Sequence, residues 1–348
     1  MATYLTLCNE ALKETNEVTI STVSGNRGLQ AFVVDAVNRA IQDINKACME
    51  WPFNKASTTQ DLTQGISEYS ITSGYSSVDP ESFILKPKDL ITNGAFTGAI
   101  TSWTDISTGT GAASASSNKL RLNAGASGVA AATQAISTIG NKPHKIKFQT
   151  FSGDITLKIG TTSGGTEILS QSCTLDYPGA GTYHVVSFTP TTASTYVTFS
   201  HTTNDNYDVD NVEAYRDVSP TPLNHVQYDE YRKITKYLDL LADKTRMGTP
   251  SSVTLTQQDT FIIADIPEFS DMQVVYDYWT VPSEMDSDDD TPAIPTRYQD
   301  VIICRVCEYI HNFKSDATRA SKYEAKFKDG ISEMRRELIN KNDYVRAT

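Results

Sequence analysis

One stretch of this sequence follows different rules from the rest. Across residues 91–140, 33 of the 50 positions are Ala, Gly, Ser or Thr. Across 91–217 there are 7 Lys or Arg and 9 Asp or Glu, about half the charge density of the flanks. Helix-period apolar patterns lie on both sides, at 29–49 and 298–338, and none lies within. A helix must place apolar residues every three or four positions to bury one face, so a long stretch without that period folds as something else. The expectation is a separate β-domain at 91–217, inserted into a mainly helical host formed by 1–90 together with 218–348. The expected fold class is α+β: a helical-bundle host domain with small β-hairpins, interrupted by an inserted antiparallel β-sandwich of jelly-roll type.

The host pattern is specific. Leu29, Phe32, Val33, Ala36, Val37, Ala40, Ile41, Ile44 and Cys48 form one apolar stripe of a helix over 29–50, stopped at Trp51-Pro52 because a residue before proline is pushed out of the α region. A shorter helix is expected over 3–15 and another over 228–241. Tyr298, Ile302, Val306, Tyr309, Ile310 and Phe313 share a face. After Asp316, the residues Ala320, Tyr323, Phe327, Ile331, Met334 and Leu338 follow at steps of three or four. The two runs predict an antiparallel helical hairpin. Alternating runs predict hairpins at 55–62 with 66–71 and at 252–256 with 260–264, and a further strand at 272–281. Within the insert, strands are expected at 119–122, 145–151, 155–159, 184–188, 196–199 and 208–215, a spacing typical of sandwiches.

The 348 residues suit two domains. The net charge is −12, of which the insert carries 7 − 9 = −2 and the flanks −10. That argues against a general nucleic-acid-binding surface, which needs a basic footprint, but is compatible with an acidic wall past which nucleic acid slides. Five scattered cysteines (Cys8, Cys48, Cys173, Cys304, Cys307) form no disulfide framework and point to folding in a reducing cytosol. The N-terminal residues show no basic-then-apolar leader, and no apolar run approaches the length of a membrane span.

Catalytic and metal motifs are weak. Cys304-Arg305-Val306-Cys307 has metal-ligand spacing without a second ligand pair, so two cysteines on a packed helix are the better reading. The acidic run 286–290 lacks the glycine and the late glutamate of a calcium loop. Asp208, Asp210 and Glu213 offer carboxylates at the end of the insert, with strand-edge solvation as the plainer account. The five histidines form no pairing motif; His201 and His225 read as turn caps. There is no nucleophile elbow, phosphate loop or dinucleotide fingerprint, so no enzyme, metal or cofactor is expected. Aromatic residues in or beside the loops of the insert, Trp103, Tyr177, Tyr183 and Tyr207, are candidate sugar-stacking rings, with core packing as the alternative.

The host carries Tyr4-Leu5-Thr6-Leu7-Cys8-Asn9-Glu10-Ala11-Leu12, then Phe32-Val33-Val34-Asp35-Ala36-Val37-Asn38-Arg39-Ala40-Ile41 and Glu50-Trp51-Pro52-Phe53. Gly248-Thr249-Pro250, Pro295-Thr296-Arg297-Tyr298-Gln299-Asp300 and a closing amphipathic helix follow. Over about 220 residues this resembles the head-to-tail adaptors of short-tailed bacteriophages (podoviruses), also called tail tubular protein A. The insert, with Asn93-Gly94-Ala95-Phe96, Trp103-Thr104 and Val209-Asp210-Asn211-Val212-Glu213-Ala214-Tyr215, is similar to jelly rolls of the carbohydrate-binding-module type.

The first resemblance implies a structural virion protein. It would form a homo-oligomeric ring, typically a dodecamer, joining the portal to the tail nozzle (tubular protein B) and lining the channel through which DNA passes during genome ejection. It would be folded and assembled in the cytoplasm of the host bacterium and reside in the virion tail, with a tail fibre as a further partner. Portal contact is expected on the last helix and tail, with Arg335, Arg336, Lys341 and Arg346 as candidate residues. The alternative reading is a glycan-binding, lectin-like module on a helical scaffold.

Overall fold

A computed structural model of the chain describes residues 2–175, 181–233 and 247–339. The structure is mostly β-sheet with some helices. It divides into two compact units. One comprises Met1–Thr58, Ser70–Ser82 and Tyr276–Thr348, and the other Thr59–Tyr69 and Phe83–Val275.

The first unit is built on four helices: α1 (Tyr4–Glu14), α2 (Leu29–Ala47), α3 (Gln299–Phe313) and α4 (Ala317–Leu338). Their apolar stripes meet in one core containing Leu7, Val33, Val37, Ile44, Trp51, Ile302, Val306, Phe327 and Met334. Thr3 caps α1 by accepting from Thr6 N–H, and Asp316 caps α4 by accepting from Arg319 N–H at 3.1 Å. Both offset the unpaired amides of a first turn. α3 and α4 form the expected hairpin and approach closely at Gly330, where a Cβ would lie 2.7 Å from a methyl of Val301. Trp51 is completely buried, and its indole N–H donates to Ile44 O at 2.8 Å, closing the C-terminal end of α2.

The second unit contains a sandwich of ten strands: β1 (Thr104–Asp105), β2 (Ala112–Ser116), β3 (Lys119–Asn123), β4 (Ala130–Ser137), β5 (His144–Thr150), β6 (Ile155–Gly160), β7 (Leu169–Cys173), β8 (Thr182–Phe188), β9 (Ser194–His201) and β10 (Asn206–Arg216). One sheet has the order β7-β6-β9-β4-β1 and the other β8-β5-β10-β3-β2. Among the described residues only β2–β3 and β6–β7 are neighbours in both sequence and sheet; every other consecutive pair changes sheet. The β2–β3 turn is Ser117-Asn118, both at positive φ, as a two-residue hairpin requires. The inner faces share one core, including Phe96, Leu120, Phe148, Ile159, Val197 and Phe199. Among the described residues that core runs from Ile91 to Ala214 and takes its buried members from nowhere else.

The motifs at the two ends of the sandwich hold each other. Asn93 sits at φ 56°, and its amide donates to Ala99 O and Thr101 O. Gly94 lies against the chain at Val212, where a Cβ would fall 1.9 Å from the carbonyl oxygen. Phe96 is fully buried 5.5 Å from the Trp103 ring. Val212 N–H donates to Gly94 O, and Leu90 N–H donates to Ala214 O at 2.7 Å. The chain therefore enters and leaves the sandwich at one place.

The same unit holds a four-stranded sheet of Asn224–His225, Ser252–Leu255, Thr260–Ala264 and Glu68–Ser70. The hairpin 252–255/260–264 matches expectation. The hairpin expected at 55–62/66–71 does not form. Lys55–Asp61 lies beside Met272–Thr280, and Glu68–Ser70 beside Thr260–Ala264. The Thr63–Gly65 turn is fixed from outside instead, by Gly65 N–H to Pro267 O and Gln64 N–H to Ser270 Oγ. Of the helix expected at 228–241, residues 228–233 are helical and the rest lies outside the described residues.

Candidate functional site

The four candidate sugar-stacking rings of the insert are not equivalent. Trp103 is 5% exposed, packed between Phe96 and Phe199 with centroids 5.5 and 5.8 Å away. It is a core residue and offers no face to a ligand, which corrects the reading of Trp103 as a contact. Its position follows from the short step back from β1, which carries the indole inward. Tyr207 has one face covered by His201 at 3.5 Å, while a Cβ on Gly153 would strike its ring at 1.6 Å, so it too is a packed ring. His201 is fixed at both nitrogens, Nδ1 to Asp154 O at 2.9 Å and Nε2 to Thr203 N at 2.8 Å, a turn-closing role. Tyr183 is different: it is 60% exposed on β8, an edge strand, with Val185 equally exposed two residues on. Opposite them on β5 stand Gln149 and Lys147, the latter 5.9 Å from the Tyr183 ring. Tyr177 lies outside the described residues.

The carboxylates at the end of the insert are engaged. Asp208 accepts from Arg121 at 2.8 and 2.9 Å, and Glu213 pairs with Lys147 at 3.4 Å. Among the described residues no group of three His, Cys, Asp or Glu is placed to hold a metal ion. Cys307 is buried with Sγ 3.9 Å from Ala11 O, and burial pushes its thiol up to about 12. Burial acts in the same direction on the Cys304 thiol. Neither is a thiolate at neutral pH, so the spacing of the pair reflects helix packing.

At the helical end, Arg335 donates to Ala47 O, sealing the C-terminal carbonyls of α2. Arg336 is exposed on α4, and Lys341 and Arg346 lie outside the described residues.

Sequence reasoning missed two features of the helical unit. The first is a charge network that locks α2, α3 and α4. Arg305 donates to Asp43 at 2.7 Å and to Glu308 at 2.7 Å, and its guanidinium lies over the rings of Tyr309 (4.8 Å) and Phe327 (4.9 Å). The Tyr309 hydroxyl also donates to Asp43. Burial opposes the charge on Arg305, but the bonds to Glu308 and Asp43 outweigh it and raise its pKa. The three-residue spacing of Arg305 and Glu308 on a helix was legible; Asp43, 262 positions away, was not.

The second is a groove beside α2. Its first lobe, about 280 Å³, is lined by Asn38, Gln42 and Asn45 of α2, by Met49 just beyond that helix and by Thr280 to Glu284. Met49 and Val281 are each 58% exposed in it. Asn54, 5% exposed, lines the floor; its Nδ2 donates to Asn45, but its buried Oδ1 has no partner. A second lobe continues along Glu284, Asp286, Asp289 and Asp290. Gln42 donates to Glu284 and Asn38 to Met285 O, holding the groove wall to the helix.

A family model described as SU10 adaptor protein matches residues 173–347, half of the chain. This chain belongs to the SU10 adaptor protein family. The matched stretch takes in the last strands of the sandwich, the small sheet after it and the α3–α4 hairpin of this adaptor. No curated protein matches the chain. Solved structures similar to the adaptor include the enzymatically active domain of tailspike protein 4 of bacteriophage CBA120 (14% identity, 36% of this chain and 21% of that chain, TM-score 0.30). They also include a CBM4 domain (14%, 38% and 99%, TM-score 0.28) and TmCBM61 in complex with β-1,4-galactotriose (17%, 37% and 99%, TM-score 0.29). The chain thus spans about a fifth of the tailspike domain it matches. Likenesses at these TM-scores assign neither a fold nor a ligand to the adaptor. No helix among its described residues is long and apolar enough to cross a membrane.

Proposed function

We propose that this protein is a structural virion component, a ring-forming head-to-tail adaptor that joins the portal to the tail nozzle and lines the DNA channel. The observation that carries the reading is the adaptor-family match over 173–347. The chain's chemistry supports it. A wall past which DNA must travel should not hold phosphates, and the chain carries a net charge of −12. In this reading the helical bundle is the host and 91–217 is an inserted, jelly-roll-like domain; the self-contained core of the sandwich and its single point of connection support the split. Portal contact is assigned to the end of α4 and the residues beyond, with Arg336 the best-placed candidate of the described part because Arg335 is occupied at the end of α2. Electron microscopy of tails from virions with the protein tagged at the insert tests this: label in a ring beneath the portal is the expected result, and label absent from the tail overturns it.

A second reading concerns the insert alone. The open ring of Tyr183, with Gln149 and Lys147 opposite, suits stacking against a sugar with polar groups to hold its hydroxyls. Glycan-array binding that Tyr183→Ala abolishes while the sandwich stays folded would establish it; a silent array removes it.

A further inference from the structure

Two surfaces of the helical unit are apolar at the centre and opposite in charge at the rim. The first is the groove beside α2, with Met49 and Val281 exposed in it and Glu284, Asp286, Asp289 and Asp290 along its second lobe. Lys46 is the one base among its lining residues. The second is the corner between α3 and α4. Phe313 is 57% exposed there, stacked on Phe32 at 4.8 Å. Val18, 76% exposed, belongs to the same corner, because Gln30 donates to Val18 O and Lys314 pairs with Glu17. Past Lys314, at the end of α3, the residues Arg319, Lys322 and Lys326 run down the exposed side of α4 at helical spacing, with Arg319 69% exposed. Exposed apolar residues grouped in this way mark contact surfaces.

One copy cannot join the two. α3 reaches α2 at Phe32 and Asp43, whereas the groove opens at Asn38, Gln42 and Asn45, about 120° around the helix at 3.6 residues per turn. We propose that the α3–α4 corner of one copy docks into the α2 groove of the next. Phe313 enters between Met49 and Val281, and the basic side of α4 lies along the four carboxylates. Because the contact uses two different surfaces, each copy leaves one of each kind open for the next. That is a heterologous arrangement, the kind that makes a ring when its rotation closes. The inference rests on the ring reading of the family and names the surfaces that would make it.

A charge swap tests the contact. Glu284→Lys/Asp289→Lys reverses the groove rim, and Arg319→Glu/Lys322→Glu reverses the corner; all four side chains are exposed, and circular dichroism confirms folding. Sedimentation velocity and native mass spectrometry of the full chain are the measurements. Each double variant alone is expected to associate about 100-fold more weakly or worse, since like charges then face each other. Mixing the two, or combining all four changes in one chain, is expected to restore assembly. A wild type that stays monomeric up to its solubility limit overturns the ring reading and this contact together. A wild-type ring whose double variants assemble unchanged overturns the contact alone, as does a groove variant that assembles normally but no longer binds the portal.

Discussion

The two cores of this protein are made by opposite means. The helical core is drawn from segments far apart in sequence, Leu7, Val37, Trp51, Ile302 and Met334, whose large side chains interlock. The sandwich core comes from one uninterrupted stretch and is thin in places, with Ala113, Ala124, Ala130, Ala132 and Ala214 among its members. Small residues bury little apolar area each, so the sandwich relies more on bonds between chain segments. Gln134, 5% exposed, exchanges bonds of 2.8 Å with the backbone of Thr92 and donates to Ser102 O. Thr133 and Thr198 bond each other inside β4 and β9. The helical unit has polar ties too, Arg305 with Asp43 and Glu308 and Asn9 with the backbone of Ile20, but they join large apolar stripes, and it leaves apolar residues in the open at Met49, Val281 and Phe313. The difference separates two uses of conspicuous residues. In the sandwich the motif residues hold the domain shut, whereas in the helical unit the exposed ones lie where nothing in the chain covers them among the described residues.

The largest expected effect follows from the single connection point. If 91–217 is an insertion, joining residue 92 to residue 214 in place of the sandwich leaves the host folded, because Leu90 and Ala214 already share a 2.7 Å hydrogen bond. Far-ultraviolet dichroism should keep its helical minimum; a chain that loses it shows that the helical unit cannot stand without the sandwich. Within the sandwich, Phe96→Ala is expected to cost about 4 kcal/mol, as deleting a fully buried ring does. Hydrogen exchange should rise across β1–β10 while α1–α4 stay protected. A smaller and opposite test is Asp43→Ala, which strips Arg305 of its partner on α2 and should cost about 2 kcal/mol, since the pair is partly exposed. Its exchange should rise in α2 and α3 and leave the sandwich unchanged.

The sequence was most legible where side chains are large and periodic. The stripe of α2 and both halves of the α3–α4 hairpin fall where their periods put them, since a helix face is a local property. The strands found in advance, such as β5 and β6, alternate Ile, Phe and Leu with polar residues. Those missed are β1, β2, β4 and β7, in which 16 of 20 residues are Ala, Ser, Thr or Gln. β4, Ala-Ala-Ala-Thr-Gln-Ala-Ile-Ser, is buried over most of its length between β9 and β1, yet has low strand propensity and no alternation to read. The same limit governs the candidate site. Trp103 and Tyr183 look alike in a sequence, and only the fold sends one inward and leaves the other at an edge. The groove is invisible in advance because its walls, α2 and 280–284, are more than 200 positions apart.

The smallest expected effect distinguishes the cores by acid. Among the described residues each holds one buried histidine with a nitrogen that lacks a hydrogen-bond partner: His144, 0% exposed, through Nε2, and His311, 4% exposed, through Nδ1, which lies 3.9 Å from Asp316. Burial lowers both pKa values below 6.5, more than the Lys142 carbonyl offsets for His144 or the charge of Asp316 offsets for His311. A base whose folded pKa is depressed stays neutral in the fold while the unfolded chain takes up a proton. The stability it contributes is therefore complete above about pH 6.5 and is lost as pH falls through the folded value. Asp271, near His144 and 2.9 Å from Arg216, acts in the other direction. Burial raises its pKa despite Arg216, so the fold gains from its protonation. Asp271, and Asp89 and Asp210, which burial raises likewise, are common to the wild type and a histidine variant, so the histidine effect is read as the difference between the two. His144→Gln should therefore flatten the acid sensitivity of hydrogen exchange in the sandwich below about pH 6.5 and leave that of α3 and α4 intact, and His311→Gln should do the reverse. If either substitution flattens both regions together, the two cores titrate as one cooperative body and the comparison between them fails.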